Sequence, residues 1–340
     1  MKGRTIILDH IDGREAAALM VDGQLSDVLI AGDAPAPGTI YRAIADRPVK
    51  GQGGMFLKTP DGSAFLRQVK GLSPGQPLLV QVTGYAEEGK AIPVTQKVLF
   101  KSRYAIVTPD APGLNISRSI RDDDLRDELM VVAKEAMEGR EMGLILRSCC
   151  ADAAPEDIAS DVEDMANLAA SVIFDESDEM AKLTEGDAPH VLAWRDWTDA
   201  AEVVTQAGGF EDHAVLDGLE AATESFVSFG KSGGMYIEPT RALVAVDVNT
   251  GNDASLAAGI KANMACAKQL PQALRVRGLA GQITLDLAPM PKKDRRAFET
   301  SLRAAFRSDD IETALVGWTP LGHYELQRKR VRLPLSEVLG

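Results

Sequence analysis

Cysteine is scarce in this 340-residue chain: Cys149, Cys150 and Cys266 are the three, and none forms a C-x-x-C pair. Adjacent cysteines rarely bridge each other, so neither a disulfide framework nor a cysteine zinc site is expected. The three read as small buried hydrophobes. Long apolar runs are missing too. No segment approaches the roughly 18 uninterrupted apolar residues of a membrane span, and the N-terminus turns acidic at Asp9, too early for a signal peptide. A cytoplasmic protein without membrane contact is the expectation. Basic residues are outnumbered, 37 to 50, for a net charge of -13. That deficit argues against a polyanionic partner until it is resolved along the chain. Residues 38–103 carry 10 basic and 4 acidic side chains, residues 104–260 carry 10 and 32, and residues 261–340 carry 14 and 8. Two basic modules flank an acidic one, and a polyanion can bind both without touching the middle.

Residues 4–9 and 17–30 alternate apolar and polar, as in a hairpin or meander, and Ala34-Pro-Ala-Pro-Gly38 is a turn-rich joint. Short β-like runs follow at 39–43, 54–57, 63–69, 77–84 and 91–99. About five short strands in some 60 residues predict a small closed barrel of the oligonucleotide-binding type. Tyr41, Phe56, Phe65, Tyr85 and Phe100 recur in it, interleaved with Lys58, Arg67, Lys70, Lys90 and Lys97. Exposed aromatics beside lysines bind single-stranded nucleic acid; the alternative is that the rings fill the barrel. Acidic amphipathic helices are predicted at 122–138 and 155–173. Between them runs a buried strand, 142–148, ending in Arg147-Ser148. An arginine and a hydroxyl at a strand end suit a phosphate, or the arginine pairs with a neighbouring acidic helix. Further on, 191–197 reads as a strand and 215–229 as a helix.

The most informative residues lie later. Residues 235–238 and 242–248 read as a hairpin, 255–270 as a helix, and 281–287 as the next strand. Strand, helix, strand is a crossover unit, so the strands at 242–248 and 281–287 should run parallel. Each is an apolar run interrupted by one carboxylate near its C-terminal end: Asp247 and Asp286. A carboxylate buried in such a run needs a partner. Ligands sit at that edge of open α/β sheets, and neighbouring strands lie about 4.8 Å apart, so if these two strands are neighbours, or nearly so, the two carboxylates can share one divalent ion. Asn249 lies on the same strand face as Asp247. This hard, oxygen-only donor set suits magnesium, with manganese as a substitute. The alternative is a strand-end aspartate capping the turn-prone Asn249-Thr250-Gly251.

Residues 232–251, Ser-Gly-Gly-Met-Tyr-Ile-Glu-Pro-Thr-Arg-Ala-Leu-Val-Ala-Val-Asp-Val-Asn-Thr-Gly, resemble the signature of the ribonuclease E/G family of bacterial endoribonucleases. Residues 115–120, 143–148, 273–279, 283–286 and 324–330 match in the family's order, with a shortened middle. The resemblance implies an α/β multidomain architecture. A ribonuclease-H-like fold (1–37 and 161–230) would be interrupted by the oligonucleotide-binding barrel (38–103) and a 5′-sensor-like segment (104–160). A deoxyribonuclease-I-like catalytic domain (231–340) would follow. It also implies roles. Asp247 and Asp286 would be the magnesium-binding catalytic carboxylates, assisted by Asn249. Phe56, Phe65 and Lys90 would contact RNA, Arg147 and Ser148 would meet its 5′-monophosphate, and Arg328, Lys329 and Arg330 are candidate phosphate contacts. The function implied is magnesium-dependent cleavage of single-stranded RNA to 5′-phosphate ends. The alternatives are an RNA-binding protein of the same fold that hardly cleaves, and a metal nuclease acting on DNA.

Several positions depart from the family pattern. The two-cysteine zinc motif expected after Arg330 is replaced by residues 331–340, so no zinc is expected, and a monomer or dimer is expected in place of a zinc-linked tetramer. Pro289 stands where a second acid is usual and Ala265 replaces a glutamate, while Asn263 is kept. Pro271 sits where the helix normally continues, and a mid-helix proline costs about 3 kcal/mol.

Overall fold

The computed structural model describes residues 3–49, 51, 53–69 and 71–339; Lys70 of the basic series lies outside them. The chain forms two compact units, one of 1–32 with 201–340 and the other of 33–200. Among the described residues no helix is long and apolar enough to cross a membrane.

The first unit opens with an antiparallel meander, β1 (Arg4–Ile11), β2 (Arg14–Val21) and β3 (Gln24–Ile30). Asp12-Gly13 and Asp22-Gly23 make its two turns with positive φ at both residues, the backbone a tight hairpin demands.

The second unit begins with the expected barrel: β4 (Ile40–Val49), β5 (Gly54–Thr59), β6 (Gly62–Leu66), β7 (Pro77–Val82) and β8 (Ile92–Thr95). The order β4-β5-β6-β8-β7 closes because β7 pairs back onto β4. Alternation fills it with Tyr41, Met55, Leu57, Ala64, Leu66 and Val80. The intervening side chains face out. The unit continues with β9 (Phe100–Lys101), β10 (Ala105–Thr108), β11 (Leu114–Ile116), helix α1 (Asp123–Ala136), β12 (Gly143–Leu146) and helix α2 (Pro155–Ile173). The four strands form one sheet, and both helices bury their apolar stripes on it, Leu129 and Ala133 from α1 and Ile158, Val162 and Ala166 from α2. The acidic faces stay outside. Helix α2 runs across the expected boundary at residue 160 and belongs wholly to this unit. Strand β13 (Ala181–Thr184) pairs with β4. Residues 191–197, expected as a strand, fall mostly in helix α3 (Pro189–Asp196). The proline at its first turn, where no N–H is missed, is the helix-start signal that outweighs the Val/Trp content.

The chain then returns to the first unit. Strand β14 (Glu202–Val204) pairs parallel to β1. Short α4 (Gly209–Asp212) and α5 (Val215–Thr223) follow. The helix expected over 215–229 stops at Thr223, because Phe226-Val227-Ser228 forms strand β15 (Phe226–Ser228). The remaining elements are β16 (Gly234–Pro239), β17 (Val244–Asn249), α6 (Leu256–Val276), β18 (Gly281–Asp286), α7 (Arg295–Arg307), β19 (Thr313–Trp318), β20 (Tyr324–Arg328) and α8 (Leu335–Val338). The strands make one sheet in the order β15-β16-β17-β18-β20-β19. Met235, Ile237, Val244, Val246, Ile283 and Leu285 pack its inner face against Cys266, Leu270 and Leu274 of α6 and Phe298 and Leu302 of α7. Helix α6 continues six residues beyond Leu270, with Pro271 buried inside it.

Candidate active site

The crossover unit has the expected geometry. β17 and β18 are parallel neighbours, and Asp247 stands opposite Asp286 in their register. Neither carboxylate is buried. Both lie on the exposed face of the sheet, Asp286 with 67% of its side chain accessible, which corrects the expectation of carboxylates inside buried strands. The reason is the period of two: Val246, Val248 and Leu285 take the core face, so the residues between them turn outward. Partial desolvation, the Asp286 carboxylate and then Glu238 push the pKa of Asp247 above the ordinary carboxylate value. Two like charges abreast are what a bound cation would relieve.

Asn249 is exposed at the end of β17, two residues on. Its Oδ1 accepts from the Gly251 backbone N–H at 2.7 Å. The turn is thus capped by Asn249, where Asp247 was the alternative. His323 Nδ1 lies 3.3 Å from Asp286 Oδ1. It gains that place because Leu285 pairs with Tyr324 across the antiparallel β18–β20 ladder. Asn263, fully buried on α6, donates to the Ala288 carbonyl at 2.9 Å, and its Oδ1 accepts from the Ala288 N–H at 3.0 Å. This reciprocal pair fixes the chain two residues beyond Asp286.

A model of the ribonuclease E/G family matches residues 100–205 and 195–331. The chain belongs to the ribonuclease E/G family. It is 28% identical over 309 residues to ribonuclease G of Salmonella typhimurium (strain SL1344), covering 78% of this chain and 62% of that protein. To ribonuclease G of Escherichia coli (strain K12) it is 26% identical over the same shares. To ribonuclease E of Synechocystis sp. (strain ATCC 27184 / PCC 6803 / Kazusa) it is 24% identical, over 96% of this chain and 57% of the relative. The chain thus spans about three-fifths of the length of these curated relatives.

In this member of the ribonuclease E/G family the remaining candidates separate. Phe56 and Phe65 are register partners on β5 and β6, half-buried on the outside of the barrel, with ring centroids 5.2 Å apart. The Arg47 guanidinium lies 5.0 Å from the Phe56 centroid. Tyr41 and Phe100, by contrast, are buried. Exposed Lys90 is salt-bridged to Glu87. Arg147 Nη1 donates to the carbonyls of Ser102 at 2.7 Å and Arg195 at 2.9 Å, and Nη2 to Asp196 Oδ1 at 3.1 Å. Its carboxylate partner is on α3, not on the acidic α1 or α2. Ser148 is exposed beside it.

The basic run at the end of β20 requires a correction. Arg328 is 1% exposed, with Nη1 2.6 Å from Asp309 Oδ2 and 2.8 Å from Thr313 Oγ1. It shares the inward face of β20 with Leu326, so no phosphate reaches it. Lys329 is exposed and pairs with Glu312 at 3.3 Å; Arg330 is half-buried. Sequence reasoning also missed His323, since only the β18–β20 register brings it to Asp286.

Proposed function

We propose that this chain is a divalent-cation-dependent endoribonuclease that cuts single-stranded RNA and leaves 5′-phosphate ends. One observation carries the reading: Asp247 and Asp286 abreast on the open face of parallel strands, in a chain of the ribonuclease E/G family. The donor set fits magnesium, which uses one or two carboxylates, retained waters and substrate phosphate. Among the described residues no group of three or more His, Cys, Asp or Glu is placed to hold a metal, which disfavours an all-protein cage. When bound, the cation supplies Lewis-acid chemistry, acidifying water and offsetting charge on a phosphoryl oxygen. Asp247 and Asp286 hold it. Asn249 keeps the end of β17 in a fixed turn, with its amide nitrogen available to a phosphoryl oxygen. His323 Nδ1 stands 3.3 Å from the Asp286 carboxylate without a hydrogen bond to it. Asn263 and Ala288 hold the segment after Asp286 in place.

In this proposal the outer pair Phe56 and Phe65, with Lys90, holds the unpaired strand. A preference of Arg147 and Ser148 for a 5′-monophosphate requires Arg147 to exchange a protein partner for a phosphate oxygen. The test is cleavage of a fluorescent single-stranded oligoribonucleotide with magnesium and with chelator. Cleavage should require the cation and fall at least about 100-fold in the Asp247→Asn, Asp286→Asn double variant, the scale of a lost electrostatic stabiliser. Undiminished cleavage by that variant would overturn the mechanism. Salt-dependent RNA binding with no turnover would favour a binding protein, a reading supported by Pro289, exposed where the family usually carries an acid.

A further inference from the structure

One segment of the chain is written twice. Gly53-Gly-Met-Phe-Leu57 in the barrel and Gly233-Gly-Met-Tyr-Ile237 in the catalytic sheet share the text Gly-Gly-Met-aromatic-aliphatic. The two copies build the same local structure in different units. In the first, Phe56 pairs in register with Phe65, and the rings are 5.2 Å apart at 49°. In the second, Tyr236 pairs in register with Phe226, 5.0 Å apart at 48°. The second glycine of each copy has a purpose. A methyl group on Gly54 would collide with the Phe65 ring, and one on Gly234 with the Phe226 ring. Each phenylalanine therefore lies over bare backbone beside its partner. In both copies the methionine points inward and is buried, Met55 at 3% and Met235 at 0%, while the aromatic points outward.

The second pair occupies a telling place. Phe226, Tyr236, Asp247 and Asp286 are consecutive register partners across four adjacent strands. Tyr236 and Phe226 stand one and two strands from Asp247, about 5 and 10 Å in backbone spacing. They remain exposed, 43% for Phe226 and 38% for Tyr236, although Met235 and Ile237 on the same strand are in the core. Large aromatics left in water beside a phosphate-handling pair of carboxylates have one chemically matched occupant, an unpaired base.

We propose that Phe226 and Tyr236 form a second base-stacking platform, which receives a nucleobase next to the linkage being cut and sets that linkage against Asp247 and Asp286. The inference rests on the proposed RNA-cleaving function. A platform on the barrel grips the strand; this one fixes its register at the reacting atoms. Position of the cut, and not overall affinity alone, then depends on it.

The experiment uses the full chain in the Asp247→Asn, Asp286→Asn background with magnesium present. Its probe is a short oligouridine carrying one 2-aminopurine, moved stepwise along the strand. The expected result is two positions of stacking-induced quenching. One should disappear with Phe56→Leu, Phe65→Leu and the other with Phe226→Leu, Tyr236→Leu, each set keeping the wild-type thermal transition. In the cleaving protein, Phe226→Leu, Tyr236→Leu should lower kcat/KM about five-fold or more, the lower end of what one stacked base contributes. The same variant should be indifferent to an abasic site beside the scissile linkage, which slows the wild type. A quenching pattern unchanged by Phe226→Leu, Tyr236→Leu would overturn the proposal. If the wild type bound RNA with that second quenched position yet never cut it, the platform would stand and the hydrolytic reading would fall.

Discussion

Ionised Asp247 faces two further negative groups, Asp286 across the strand pair and Glu238 nearby, and these add to partial burial in raising its pKa. The sign of the linkage follows. A carboxyl whose folded pKa exceeds its unfolded value favours the folded state when protonated, and that contribution is lost as pH rises through the folded pKa. At neutral pH the ionised group therefore opposes folding. Asp247→Asn should raise Tm in chelator at pH 7, by about 1–2 °C at most because the site is exposed and screened. The difference should vanish below the carboxylate range and shrink when magnesium is added to the wild type. A differential-scanning melt at two pH values checks it; a lower Tm for the variant at pH 7 would contradict it. Arg328 shows the opposite case, a charge the fold has fully enclosed beside Asp309. Removing one partner of a buried pair costs about 3–5 kcal/mol. Arg328→Ala should lower the urea midpoint accordingly, while RNA affinity per folded molecule stays the same. The parallel run of the strands bearing Asp247 and Asp286 was legible from the crossover pattern, and the sheet order makes them neighbours. The burial of Arg328 was not legible, because its charge reads as exposure, although Tyr324 and Leu326 before it set the alternation that turns it inward.

The active face is held from behind by a helix packed on the opposite side of the sheet. Asn263 on α6 satisfies both backbone groups of Ala288, a buried donor and a buried acceptor. Asn263→Ala would strand both, at about 1–3 kcal/mol each, and free the segment that follows Asp286. The expected outcome is a Tm lower by several degrees, with kcat reduced more than RNA affinity; an unchanged kcat in the folded variant would remove Asn263 from the positioning role. Helix and strands here followed from sequence because the periods are clean: apolar residues at helical spacing in α6, alternation in β17 and β18. Two elements elsewhere did not follow. Val191 to Trp197 is rich in residues that favour strands, yet Pro189 starts a helix there. Phe226-Val227-Ser228 continues a helical pattern in composition, but pairing with β16 draws it into the sheet. In the first case a proline two residues before the window decided the outcome; in the second a strand distant from it did. That is also why the Phe226–Tyr236 pair is invisible until the strands are aligned.

At the scale of the molecule the charge is divided. The barrel is basic, yet α1 and α2 in the same unit carry acidic outer faces, and the chain as a whole is at -13. Within a Debye length of about 8 Å at physiological salt, an RNA strand on the barrel responds to the charges beside it, not to the total. Two barrel lysines share their charge with a nearby carboxylate, Lys90 with Glu87 and Lys58 with Asp46. Arg67 and Lys97 are exposed, and no pairing to a carboxylate answers them among the described residues. They are therefore the side chains best placed to release counterions from a bound strand. Each phosphate neutralised on a single strand contributes about 0.7 to the slope of log affinity against log salt. Arg67→Ala and Lys97→Ala should each flatten that slope by about 0.7 and weaken binding to all sequences alike, as read by fluorescence anisotropy across a salt series in chelator. The stacking variant Phe56→Leu, Phe65→Leu should weaken binding and leave the slope unchanged, because stacking on a ring displaces no ions. If neither the basic nor the aromatic variants changed binding, RNA would be meeting this molecule somewhere other than the outer face of the barrel.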